Sequence, residues 1–464
     1  MNNETQFQRH QAFVNADRPH VLMITNHGIH QWQVVPGLPD TGGQNVFVNQ
    51  FTDTLADFGF KITIVNRGGY EHPLSGDLHR GVDYKNDFER ILYIEDGEEA
   101  FVRKEDMDEH TPRLTNFLRE FLQEEGLPVD LIISHYWDAA KIGVLLNRTL
   151  AEPVNHIWVP HSLGTVKKGN MHPDTWADLR VDERIAVERS LLPELDGVAA
   201  TSARIRQALE EDYHYDEILF LPPCVQVDRY HPRQIGDDHE IWSFLSQHCG
   251  LPVEQIRDCQ LITEISRTDE TKRKDVLIEA FGRVHEQRPD TLLLVSIDET
   301  EKALAAKLHK LISEMEIEDH TAVLGYVWDE LPDLYAVTDI YCSPSVMEGF
   351  GMSVQEAAAT KVPVVGSDLI PFVSEYLLGS DVVEMTTREA GGPLQVGEGG
   401  IVAPADDIEA FSEALAMLLD DAEMRRNMGQ RAYDLTIPYF TWTDMTRRFL
   451  EDINVSVSAG AQQA

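Results

Sequence analysis

The chain has 464 residues, more than one core can organise, so two or three domains are expected. Its 79 acidic residues outnumber 39 basic ones, and the net charge of −40 argues against a free nucleic-acid or anionic-membrane surface. Cys224, Cys249, Cys259 and Cys342 show no CxxC spacing, which argues against a structural zinc or a disulfide framework. No apolar run reaches the ~18 residues of a membrane span, and the polar stretch Met1–His20 lacks the apolar core of a signal peptide. A cytoplasmic protein with reduced thiols is expected. So large a negative charge repels itself and is best tolerated where salt screens it. Dialysis to low salt should therefore lower the melting temperature. A Tm indifferent to salt would leave only an ordinary acidic protein.

Short β-branched runs alternate with amphipathic stretches along the chain. Strands are expected at 21–25, 61–66, 131–135, 157–160, 198–201 and 218–221, then at 261–266, 292–297, 322–327, 340–343, 362–366 and 400–403. Helices are expected between them, among others at 46–58, 274–286, 352–360, 407–419 and 443–452. This repeated strand–helix order predicts two α/β domains with parallel sheets, whose strand C-termini face a shared cleft. The boundary falls near Pro222–Pro232, where Pro222-Pro223 cannot continue a strand or helix. The domains are thus residues 1–225 and 226–436, followed by a C-terminal helix over 437–454 and a small, polar, disordered tail over 455–464.

The motifs follow the strands. Pro39-Asp40-Thr41-Gly42-Gly43-Gln44 links the first strand to its helix, where Gly42 and Gly43 can cradle a phosphate or merely make a tight turn. The absence of GxGxxG speaks against a nicotinamide cofactor. Arg103 and Lys104 lie in Phe101–Glu105 and read equally well as surface charges. His135-Tyr136-Trp137-Asp138 and Pro160-His161-Ser162-Leu163-Gly164 each follow a strand of the same sheet, which favours a site over two structural histidines. Lys167 comes next, then Arg184 and Glu188 at the spacing of an ordinary i,i+4 pair.

In the second half, Arg267 ends a strand and Lys272 stands five residues on, across a turn. Two cations there could neutralise a diphosphate, or form a surface network with Asp269 and Glu270. The segment Pro344–Ala357 is the most informative. Its glycines admit close backbone approach, and its helix start offers free N–H groups. Glu348 can meet sugar hydroxyls, and Glu356, about a turn into the helix, can accept from both hydroxyls of a ribose. A capped helix with two solvated glutamates is the plainer alternative.

Taken together, PDTGGQ, HYWDA, HSLG with Lys167, RI-x-x-E, SR-x-D-x-x-K and E-x-F-G-x-x-x-x-EA resemble, in order and over nearly the whole chain, the sucrose-synthase-like retaining glycosyltransferases. The sucrose-phosphate and mannosylfructose-phosphate synthases are the subgroup resembled. The resemblance implies a GT-B fold, with two Rossmann-like domains across a cleft and the C-terminal helix returning to the first. It implies catalytic roles for His161, Glu348, Arg267 and Lys272. Donor contacts fall to Gly42, Gly43, Phe350, Gly351, Met352 and Glu356, and acceptor contacts to Gln44, Lys104, Lys167 and Arg184. The implied donor is a UDP-, ADP- or GDP-hexose and the acceptor a small phosphorylated sugar or relative, in aid of a compatible solute. No metal ligands are expected and no cofactor is required, Mg2+ being at most a stimulant. Nucleic acid and membrane are not expected partners. Glycosylglycerate, glycosylglycerol or lipid acceptors remain open, as does a silent sugar-nucleotide-binding protein. The chain departs from the family at Pro222-Pro223-Cys224, at Lys361-Val362-Pro363 and at Asp368–Phe372, where a glycine pair is usual.

Overall fold

The computed structural model describes residues 3–34, 38–73, 75–170, 173, 176–385 and 392–455. Met171 and tail residues 456–464 lie outside the described residues. The chain divides into two compact units, Met1–Pro223 with Trp442–Ala464, and Cys224–Thr441.

The first unit contains β1 (His20–Ile24), β2 (Lys61–Arg67), β3 (Gly81–Tyr84), β4 (Glu89–Ile94), β5 (Leu131–His135), β6 (Asn155–Val159), β7 (Gly197–Ala200) and β8 (Ile218–Phe220). They form one sheet in the order β3-β4-β2-β1-β5-β6-β7-β8, parallel except for β3. β1, β2 and β5 are buried throughout, as strands covered by helices on both faces must be. Leu22, Ile132 and Trp158 share a core with Leu114 and Leu118 of the helix Thr111–Glu125 and Ile142 of the helix Trp137–Asn147.

β3 and β4 were not among the expected strands. β4 opens on two charged residues, Glu89 and Arg90. In the fold both are buried, and the Arg90 guanidinium donates to both oxygens of Glu125 at 2.7 and 2.6 Å. The last helix, Trp442–Asp452, belongs to this unit. Trp442 stacks on Phe51 of the helix Gly43–Asp57, with centroids 5.7 Å apart, and its indole N–H donates to Gln50 at 2.8 Å.

The second unit contains β9 (Gln260–Glu264), β10 (Thr291–Ser296), β11 (Thr321–Leu324), β12 (Ile340–Ser343), β13 (Val364–Ser367), β14 (Val383–Met385), β15 (Leu394–Val396) and β16 (Gly400–Ala403). Their order is β11-β10-β9-β12-β13-β16-β15-β14. The β14–β15 hairpin adds an antiparallel edge that was not expected. The core joins Ile262, Leu293, Val365 and Ile401 to Phe281 and Phe411 of the covering helices Lys274–His285 and Ile408–Asp420.

The division corrects the expected boundaries slightly. Residues 437–441 stay with the second unit rather than with the last helix. Phe440 packs against Phe350, Phe372 and Tyr376, and its carbonyl accepts the Val225 N–H at 2.8 Å. The aromatic cluster and the backbone bond together hold this segment.

Candidate functional site

In an open α/β sheet, the chain diverges at one point, and the strand ends on either side frame a crevice. In the second unit that point lies between β9 and β12. The loop after β9 carries Arg267 and Lys272, and the loop after β12 carries Glu348. The loops are clipped together at the Thr271 carbonyl, which accepts from the Val346 N–H at 2.8 Å and the Ser345 hydroxyl at 3.2 Å. Lys272 Nζ then meets Glu348 Oε1 at 2.5 Å, both largely shielded from water. Arg267 does not join them. Its side chain is 67% exposed, with Asp269 at 3.6 Å.

Sequence reasoning missed Lys274, which roots this loop. Its buried ammonium donates to Glu264 at 2.5 Å, to Ser296 Oγ at 3.1 Å and to the Ser266 carbonyl at 3.2 Å.

Gly351 precedes the helix Met352–Ala359 at φ +109°, and a Cβ there would stand 2.6 Å from Ile370. Only glycine fits, and the helix start is thereby placed beside Glu348. Phe350 is buried in the aromatic cluster, so its side chain serves packing and its backbone is what a ligand could reach. Glu356 Oε2 accepts from the Tyr335 hydroxyl at 3.1 Å. Burial pushes its carboxyl up to about 7, against the opposing pull of Tyr335 and Arg229. In the unusual loop, the Asp368 carboxylate accepts from the Ala405 N–H at 2.9 Å, and Ile370 fills the space beneath Gly351. Asp368 therefore braces the neighbouring loop.

In the first unit, divergence occurs between β1 and β5. The Gly42 N–H donates to Asn45 Oδ1 at 2.9 Å, which fixes the start of the helix Gly43–Asp57. Gln44 Nε2 donates to Thr25 Oγ1 at 3.0 Å, and Asp40 pairs with Lys104. The PDTGGQ loop and Lys104 are thus one structure. His161 adopts a left-handed backbone at φ +54° and stacks on His135. Burial lowers its pKa to about 3, so the ring is neutral at physiological pH. His135 Nε2 lies 2.8 Å from the Met23 sulfur, which can only accept, so His135 Nδ1 is free to accept from His161 Nε2 at 2.9 Å. His161 Nδ1 then carries a bare lone pair.

Lys104, Lys167 and Arg184 do line one pocket, with Trp137, a fourth cation, Arg180, and the carboxylates of Glu105, Asp108 and Glu183. Arg180 stands one turn before Arg184, at a spacing that could have flagged it. Lys167 is loosely held, 3.6 Å from Glu105. Arg184 is not loose. Its guanidinium donates to Glu188 at 2.7 Å, to the Tyr136 hydroxyl at 2.7 Å and to the Ser162 carbonyl at 2.5 Å. The expected acceptor ligand is first a buried brace of the pocket wall. His27 was also missed, although it follows β1 as His135 ends β5. It contacts Asp138 at 2.9 Å and lies near Asp40 and His161.

Among the described residues, no group of three or more His, Cys, Asp or Glu side chains is placed to hold a metal ion. No described helix is long and apolar enough to cross a membrane.

Residues 255–435 match the Glycosyl transferases group 1 family, and residues 41–229 match Glycosyltransferase Family 4. The chain is 29% identical over 362 residues to mannosylfructose-phosphate synthase of Agrobacterium fabrum, covering 75% of this chain and 76% of the relative. It is 27% identical over 422 residues to D-inositol 3-phosphate glycosyltransferase of Corynebacterium glutamicum, covering 89% and 91%. Among solved structures, sucrose-phosphate synthase from Thermosynechococcus elongatus superposes with a TM-score of 0.74 at 21% identity, covering 94% of this chain and 98% of that one.

Proposed function

Because the chain belongs to the group 1 glycosyltransferases and has the GT-B fold, we propose that it transfers a hexose, with retention, from a nucleotide sugar to a small phosphorylated acceptor. The observation that carries this reading is the pocket in which Lys104, Lys167, Arg180 and Arg184 outnumber the carboxylates Glu105, Asp108 and Glu183, in a chain of net charge −40. Against so negative a field, four gathered cations indicate an anionic ligand. The two curated relatives support it, since each name includes a phosphorylated sugar or polyol.

In this reading Glu356 accepts from the ribose hydroxyls. Lys272 and Arg267 neutralise the diphosphate, and the amides of Phe350, Gly351 and Met352 approach the donor. Glu348 exchanges Lys272 for hydroxyls of the hexose. The bond from the anomeric carbon to the β-phosphate oxygen breaks, and its electron pair stays on that oxygen. The same oxygen removes the proton of the acceptor hydroxyl, whose oxygen closes on the anomeric carbon from the same face. A glycoside and a nucleoside diphosphate result, with configuration retained. Neutral His161 receives no proton and accepts a hydrogen bond from a sugar hydroxyl. Cations and helix dipoles stabilise the developing charge, and Mg2+ acts at most as a stimulant.

The deciding experiment is a matrix of UDP-, ADP- and GDP-hexoses against sugars and polyols with and without phosphate, scored by nucleotide release and by the anomeric configuration of the product. Turnover with phosphorylated acceptors and a retained product is expected. Donor binding without turnover on any acceptor would leave the silent binding protein in its place.

Glu356 gives this donor site a pH dependence. As pH falls through about 7 the carboxyl takes up a proton and loses acceptor capacity. Titration calorimetry with the nucleoside diphosphate should show affinity flat above that value and falling below it, by at most about tenfold per pH unit. Glu356→Gln should flatten the profile, and an unchanged profile would contradict the assignment. For stability the sign is opposite. A raised carboxyl pKa contributes stability below its unfolded value of 4.5, which is lost as pH rises through about 7.

A further inference from the structure

We propose that Asp138 is a positioning residue that fixes His27 as a hydrogen-bond acceptor for a hydroxyl group of the acceptor substrate; the substrate assignment rests on the transferase reading above. His27 follows β1 and Asp138 opens the helix after β5, so the pair spans the divergence point of the first sheet. Asp138 is 0% exposed and His27 5%. Asp138 Oδ1 lies 2.9 Å from His27 Nδ1, and Asp138 Oδ2 accepts from Asn26 Nδ2 at 3.2 Å.

A carboxylate has no proton to offer, so the hydrogen between it and the imidazole sits on Nδ1. In the uncharged ring, Nε2 then keeps its lone pair. The Tyr136 ring packs on the imidazole at 4.4 Å between centroids and holds its plane. His27 Nε2 makes no hydrogen bond to the described residues. A fixed lone pair there favours a hydroxyl, which can donate to it, and repels a phosphate or carboxylate oxygen. The Asp40–Lys104 pair lies close by and leads to the cationic pocket. The first unit thus separates two chemistries, one place that reads a hydroxyl and one that reads an anion.

Asn26 makes the arrangement testable. Two donors converge on Asp138, one on each oxygen. An asparagine supplies only one acceptor, so Asp138→Asn sets an amide N–H against either Asn26 or His27. Facing His27, it would move the imidazole proton to Nε2 and turn the acceptor into a donor. Imidazole 15N shifts of histidine-labelled protein, with His27 assigned by its loss in His27→Gln, read the tautomer directly. They should show a bare Nε2 in the wild-type protein and a protonated Nε2 in Asp138→Asn. In transfer assays, Asp138→Asn should raise the acceptor KM about tenfold and the donor KM less than about twofold. In the His27→Gln background, the same substitution should add almost nothing.

A protonated or charged Nε2 in the wild-type ring would overturn the proposal, as would equal effects on donor and acceptor KM. Where Asp138→Asn fails to fold, the wild-type tautomer still decides. Where the wild-type protein transfers to no acceptor, the transferase reading falls, and the tautomer alone decides whether Asp138 sets His27.

Discussion

Glu348→Ala is expected to lower kcat/KM for transfer by about a hundred- to a thousandfold, the range for removing one preorganised group from a charge-stabilising site. Circular dichroism should be unchanged, because the loop after β12 is held by Thr271, Ser345 and Gly351 rather than by this carboxylate. Lys272→Met should cost a similar factor. The two groups are each other's partner at 2.5 Å, so their effects should not add. Each single change also strands the other charge in a shielded site, and the double variant should be little worse than either alone. Activity within about twofold of wild type for Glu348→Ala would remove the donor site from this place.

The second large effect separates two residues that read alike in the sequence. Lys167 lies in the cationic pocket with only a loose partner, and Lys167→Ala should raise the KM for a phosphorylated acceptor by about ten- to a hundredfold. Donor KM and Tm should stay put. Arg184 lines the same pocket, yet its side chain is 6% exposed and its partner Glu188 is 0% exposed. Arg184→Met would leave the Glu188 carboxylate buried with only the Gly164 N–H and the Tyr213 hydroxyl, a defect of about 3–5 kcal/mol. Its primary signature in denaturant titration should be lost stability. A stable Arg184→Met protein with only a raised acceptor KM would restore Arg184 as a phosphate ligand, and the reverse pattern at Lys167 would remove that residue from the pocket.

The strands that were legible are those buried on both faces, such as β1, β2 and β5, because a parallel strand between two helix layers must be apolar along its length. β4 was illegible because its first two residues are charged, and Arg90 finds its partner, Glu125, 35 residues on. The β14–β15 hairpin was too short to show a period. Gly351, before the helix Met352–Ala359, was legible in kind, and the structure added the reason, which is the Ile370 side chain packed beneath it. His161 was marked by its place after a strand. That its ring is neutral follows from its burial, and which nitrogen faces outward follows from the Met23–His135 contact behind it.

The sequence by itself determined the two α/β units, the Glu348–Glu356 segment as a candidate donor site and the charge against which any anion must be held. These depend on residues near one another in the chain or on simple sums. Only the tertiary structure decided that Lys272 and Glu348, 76 residues apart, are partners, that Arg267 stands outside the pair, and that Arg184 braces a wall. The same holds for His27, whose tautomer is set by a carboxylate 111 residues away. A charged side chain's role depends on which opposite charge or lone pair the fold brings within about 3 Å of it, and that distance is fixed by packing rather than by spacing along the chain.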